Sequence, residues 1–208
     1  MPRNLEAALR ASTSADVNGA FVIVRPHPSN TEQWHEVEFG DPHALVYPRR
    51  YSGMPLRDEE VEVFRYSLLA STVVVGVNTT AMIEAAILRR PVFSVRDPGF
   101  AHSQQQTLHF GYLTRERGGC ATVAESLAEH VLQVEAAVSG QVDLLALDRF
   151  VQRFVRPLGL TTPATTHLCD AIELVAARCK QIEPLRGLPP VAHATAAAPE
   201  RRVVARER

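Results

Sequence analysis

Residues 72–95 read TVVVGVNTTAMIEAAILRRPVFSV. The run TVVVGV (72–77) is the clearest buried strand in the chain, being short, apolar and rich in β-branched side chains. It passes through Gly76 into NTTAMIEAAILRR, which reads as a helix, and Pro91 then opens a second apolar run, PVFSV (91–95). Continuous apolar strands alternating with helices imply parallel pairing with both faces covered. The fold class expected is α/β: a Rossmann-like parallel sheet with helices on both faces. Right-handed crossovers put every carboxyl end of such a sheet on one edge, where its ligands bind.

The same alternation extends in both directions. RNLEAALRAS (3–12) places Leu5, Ala8 and Leu9 on one helical face, and residues 20–25 form another short apolar run, expected to be a strand covered on both sides. A short helix is expected around Trp34 and Val37, and HALVY (43–47) reads as a second strand. RDEEVEVFRYSLLAS (57–71) reads as a helix with Val61, Phe64, Leu68 and Leu69 inward. Beyond the central unit, 96–112 lacks regular periodicity, and 123–138 and 144–155 read as amphipathic helices. A helix over 163–179 begins at Pro163, where a missing amide costs nothing. The expected division is a folded domain over 1–182 and a tail over 183–208, whose Pro, Ala and Arg composition predicts disorder.

Composition excludes several classes. The net charge of -1 gives no basis for nonspecific binding of nucleic acid, and no apolar run reaches the length of a membrane helix. The N-terminus shows no secretory leader pattern, and Cys120, Cys169 and Cys179 are odd in number and not in metal-ligand spacing. These features predict a cytoplasmic protein with reduced thiols.

Two segments carry candidate chemistry. At the opening of the 78–90 helix, Asn78, Thr79 and Thr80 combine free amides with small polar side chains, a ready anion site. Glu84 stands alone on an otherwise apolar helix. Ala81 lies three residues before it, so it is not the partner in a capping box. One reading has Glu84 accept hydroxyl bonds from a ribose; the other has it simply face solvent. In FVIVRPHPS (21–29), a strand delivers Arg25 and His27 to its carboxyl end. They either bind a diphosphate across the crevice or close a Pro-rich turn, Arg25 in a surface ion pair and His27 hydrogen-bonded.

Other clusters carry less. HEVEFGDPH (35–43) gathers acidic residues and histidines, but its spacing matches no metal motif. In FAHSQQQTLHFGYL (100–113), His102 and His109 flank three glutamines, either in a lid over a site or in a packed surface loop. Gly118 and Gly119 either admit a nucleotide closely or form a plain turn. Arg149, Arg153 and Arg156 read as a solvated helix face.

Taken together, Arg25-Pro26-His27-Pro28, Asn78-Thr79-Thr80, Glu84-Ala85 and Arg90-Pro91 resemble the C-terminal, nucleotide-binding half of GT-B glycosyltransferase-like proteins. The resemblance points to surface-carbohydrate and capsule-biosynthesis proteins, with CDP-glycerol glycerophosphotransferases as relatives. HFGYLTRERGGCATVAESLAEHV (109–131) and residues 148–175 are similar to that group's later segments, so the likeness covers nearly all of 3–180. It implies a single GT-B half-domain that binds a nucleotide-activated sugar or polyol, with no cofactor or bound metal. The implied ligand residues are Arg25, His27, Asn78, Thr79, Thr80, Glu84, His109, Gly118 and Gly119.

The resemblance also implies a separate acceptor-binding domain or subunit, from which the catalytic base of such enzymes normally comes; no base is identified in this sequence. Asn78-Thr79-Thr80 replaces the Ser-Asp-Tyr-Ser-like motif of the glycerophosphotransferases. UDP-N-acetylglucosamine 2-epimerases carry G-G-x-x-E-E where this chain has Thr79, Thr80 and a single Glu, which argues against epimerase activity. A noncatalytic half-domain that binds nucleotide or a partner is the alternative.

Overall fold

The computed structural model describes residues 2–52 and 56–181. The expected tail from 183 onward lies outside the described residues. Two compact units divide the chain, Met1–Thr162 and Pro163–Arg208. In the first, helices α1 (Pro2–Arg10) and α2 (Ala15–Asn18) precede strands β1 (Val22–Val24) and β2 (Ala44–Val46). Then come α3 (Asp58–Ala70), β3 (Val74–Val75), α4 (Ala81–Ile87), β4 (Val92–Val95), α5 (Leu108–Leu113), β5 (Ala121–Ala124), α6 (Leu127–Val138) and α7 (Leu144–Phe150). The second unit is described through α8 (Ala164–Gln181).

The fold is α/β and Rossmann-like, with parallel strands flanked by helices. β1 pairs with β2, Val22 opposite Ala44, and β3–β4–β5 form a second parallel set with Val74 opposite Val92 and Val92 opposite Ala121. No ladder hydrogen bond joins β1 to β3 among the described residues; Val22 and Val73 instead pack into one apolar cluster with Leu9, Val17 and Val134.

Alternation along β4 shows how both faces are covered, because successive side chains of a strand point to opposite sides. Val92 enters a core with Met82, Ala85 and Ala86 of α4 and Leu147 and Phe150 of α7. Phe93 points the other way and meets the ring of His130 on α6 edge-on, centroids 6.2 Å apart. Met82, Leu147 and Phe150 are exposed by 2 % or less, and each contributes about 1.5–3 kcal/mol by leaving water.

Several expectations need correction. The best-buried strand is β4, buried at every position, whereas only two residues of 72–77 are ladder-paired and both are half-buried. β1 is not covered on both sides, since Ile23 is 46 % exposed. On α3 only Leu68 is buried, and Val61 and Leu69 face outward. The short helix near Trp34 is a single 3-10 turn, Glu32–Trp34. Strand β5 falls where a helix was expected to begin at 123. Its helix, α6, starts only after Ser126, whose side chain accepts from the Glu129 amide and caps the first turn.

Candidate functional site

The carboxyl ends of β3 and β4 are closed over by the segment that follows β4. Asp97 begins a 3-10 turn at Pro98–Phe100, accepting from the Gly99 amide at 2.8 Å. Gln104 then turns fully inward. Its amide nitrogen donates to the carbonyls of Val95 at 3.0 Å and Val77 at 3.3 Å, and its oxygen accepts from the Asp97 amide at 3.3 Å. One glutamine thereby satisfies backbone groups at two strand ends that burial would otherwise leave unpaired.

Asn78 makes the second fastening. Its Nδ2 donates to the Ser103 carbonyl and lies 3.3 Å from the Thr107 hydroxyl and 2.8 Å from Nε2 of His109. An amide nitrogen has two hydrogens and no lone pair to accept with. Nε2 of His109 is therefore the acceptor, and the ring proton sits on Nδ1. Asn78 and His109, two of the expected ligand residues, meet at the carboxyl edge.

Thr79 and Thr80 follow at once. The amides of Ala81, Met82, Ile83 and Glu84 all find acceptors on these two threonines: the Thr79 hydroxyl at 3.4 Å and backbone carbonyls at 2.9–3.2 Å. The first turn thus consumes the amides of residues 81–84. The amides of Thr79 and Thr80 have no protein acceptor among the described residues, and the Thr80 hydroxyl makes no capping bond. Donors therefore remain at Thr79 and Thr80, two of the three positions where they were expected.

Glu84 lies one turn further on, its amide bonded to the Thr80 carbonyl at 3.2 Å. The residue is exposed, and its carboxylate makes no hydrogen bond or ion pair among the described residues. Partial burial of the carboxyl nonetheless pushes its pKa above the ordinary glutamate value.

Arg25 is engaged elsewhere. Its guanidinium donates to the Ser67 hydroxyl at 2.8 Å and lies 5.3 Å from the ring centre of Phe64, both on α3, and 6.0 Å from that of Tyr47. Pro26 is buried, and its carbonyl accepts from the Tyr51 hydroxyl at 3.1 Å. His27 is exposed, with Nδ1 accepting from the Ser29 amide at 3.2 Å. The hydrogen bonds of the RPHP turn thus tie it to its own neighbourhood and to α3, and none reaches residues 78–80.

Gly118 and Gly119 lie just before β5, at the amino edge of the β3–β5 set, opposite the edge that holds Asn78 and His109. Gly118 has φ +79°, in the left-handed region. At Gly119 a side chain would meet the backbone of Leu113 at 2.2 Å. Both glycines are required by the path of the chain into β5.

Sequence reasoning missed Gln104, Ser103 and Thr107. Nothing local separates Gln104 from Gln105 or Gln106; only burial does. In the acidic segment 35–43, Asp41 is occupied by the His43 amide at 2.8 Å and by Arg10, which together hold its carboxyl below the usual range. No group of three metal-ligating side chains occurs among the described residues.

No protein-family model, curated protein or solved structure matches this chain.

Proposed function

We propose that the chain is the donor-nucleotide-binding half of a GT-B-type transferase, holding a nucleotide-activated sugar or polyol at the carboxyl edge of β3 and β4. The observation that carries this reading is the pairing of Asn78 with His109 beside the two unpaired amides of Thr79 and Thr80. These donors suit the oxygens of a diphosphate, and the unpartnered Glu84 one turn away suits paired ribose hydroxyls. In a complete transferase, a partner domain supplies acceptor and base. This half stabilises the nucleoside diphosphate as it leaves, by fixed dipoles aimed at the charge that develops.

A nucleoside diphosphate, UDP or CDP, is then expected to raise Tm. A ligand at 100 times its Kd adds about 2.7 kcal/mol. Glu84→Ala, at an exposed position, is expected to leave the fold intact and abolish most of the shift. An unchanged shift in that variant, or none with either nucleotide, rejects the reading.

A specific observation favours a second reading, the noncatalytic partner-binding half-domain. On α8, Leu168, Ile172 and Val175 recur at helical spacing and are each about 60 % exposed.

A further inference from the structure

An open cleft of about 620 Å³ lies at the amino edge of β5. Arg115, Arg149 and Arg153 converge on it, with Gly118 and Gly119 forming part of its wall. Among the described residues, the only carboxylate in the lining is that of Asp143. That carboxylate is already committed: one oxygen accepts from the Ala146 amide at 2.9 Å and caps α7, and the other lies 3.4 Å from Arg149. Among the described residues, Arg115 donates only to the Asp143 backbone carbonyl, at 3.4 Å. Arg153 has no ion pair among the described residues, and a side chain at Gly118 would meet its guanidinium at 3.3 Å. Of the three guanidinium groups, only that of Arg149 contacts a carboxylate among the described residues.

Such a grouping carries a repulsion that a bound anion relieves, and planar guanidinium forks match phosphate oxygens two at a time. The cleft is large enough for more than a single phosphate. Among the described residues, its lining contains no aromatic ring on which a base would stack. We propose that the Arg115–Arg149–Arg153 cleft is a second anion site, which takes the diphosphate group of a small molecule and recognises its charge rather than a nucleobase. Burial lowers the pKa of Arg115, as expected for a guanidinium whose counter-ion the protein does not itself provide in full. The site lies on the opposite sheet edge from Asn78 and His109, and only its comparison with UDP rests on the role proposed for Glu84.

The test is isothermal titration of the full chain with inorganic pyrophosphate and, separately, with UDP. Wild-type protein and the double variant Arg149→Gln/Arg153→Gln are compared. Both substitutions are at exposed positions, and circular-dichroism melting checks that the variant folds. Saturable pyrophosphate binding is expected, weakened at least about tenfold in the double variant, the value of one charge-assisted hydrogen bond. In a Glu84→Ala background, where the carboxyl-edge site is disabled for nucleotides, UDP is expected to bind as tightly as pyrophosphate. Absence of saturable pyrophosphate binding in the wild type, or equal affinity in the double variant, overturns the site. UDP binding much more tightly than pyrophosphate in the Glu84→Ala background overturns the claim that charge alone is read.

Discussion

Nδ2 of Asn78 lies 2.8 Å from Nε2 of His109, 31 residues further along the chain, and the same nitrogen holds the Ser103 carbonyl. The asparagine thereby fixes the segment after β4 to the end of β3. Asn78→Ala removes both donors and is expected to cost about 1–3 kcal/mol. Urea denaturation measures the loss, and limited proteolysis is expected to show new cleavage between residues 98 and 109. Asn78→Asp is expected to be worse, because it sets a carboxylate against the Ser103 carbonyl. Equal stability of Asn78→Asp and wild type contradicts the assignment of donor and acceptor.

The two adjacent glycines before β5 differ in what they require. Gly118→Ala is expected to cost about 1–2 kcal/mol, the usual cost of a left-handed backbone for an L-residue. Gly119→Ala places a methyl group 2.2 Å from the Leu113 backbone, which no rotamer relieves. It is expected to cost more than about 3 kcal/mol or to prevent folding. Chemical denaturation of the two single variants ranks them, and the reverse order contradicts the path described for 112–121.

His130 is fully buried against Phe93 with neither ring nitrogen hydrogen-bonded, and burial lowers its pKa. The unfolded chain then binds a proton that the folded chain resists. Stability is unaffected above the unfolded value near pH 6.5 and is lost as pH falls from there through the depressed folded value. His130→Phe is expected to flatten the fall in Tm between pH 7 and pH 5 while leaving the alkaline side unchanged. Parallel profiles in the two proteins assign the acid sensitivity to other groups.

Cys120 is buried beneath Met82, and desolvation pushes its thiol up to about 11. Cys169 and Cys179 are exposed on α8. Ellman's reagent at pH 8 is expected to titrate two thiols quickly in the native protein and the third only after denaturant is added. Three fast thiols mean that the core around Met82 opens readily.

The parts of the fold that could be read in the sequence are those with strong local signals. β4 announces itself by an apolar run behind Pro91, and α4 by its apolar helix between two strand-like runs. β5 was hidden because Ala121-Thr122-Val123-Ala124 is too small and mixed to signal a strand; only the neighbouring β4 supplies the ladder that makes it one. In the site, Asn78 and His109 were each singled out, but their meeting is a long-range fact that no spacing encodes. Arg25 shows the converse. Its position at a strand end suggested the crevice, but Phe64 and Ser67, more than a helix away in sequence, hold its charge at α3 instead. Arg149 and Arg153 read as a solvated face until the fold brought Arg115 beside them.

No ladder joins β1–β2 to β3–β4–β5 among the described residues; Val22 and Val73 share an apolar cluster with Leu5, Leu9, Val17 and Val134 instead. A close-packed apolar contact resists compression but fixes no register between strands, whereas a ladder does both. The first strands therefore set no hydrogen-bond register for the β3–β4–β5 set. Among the described residues, the side-chain hydrogen bonds that align the carboxyl-edge cluster all lie within residues 77–109.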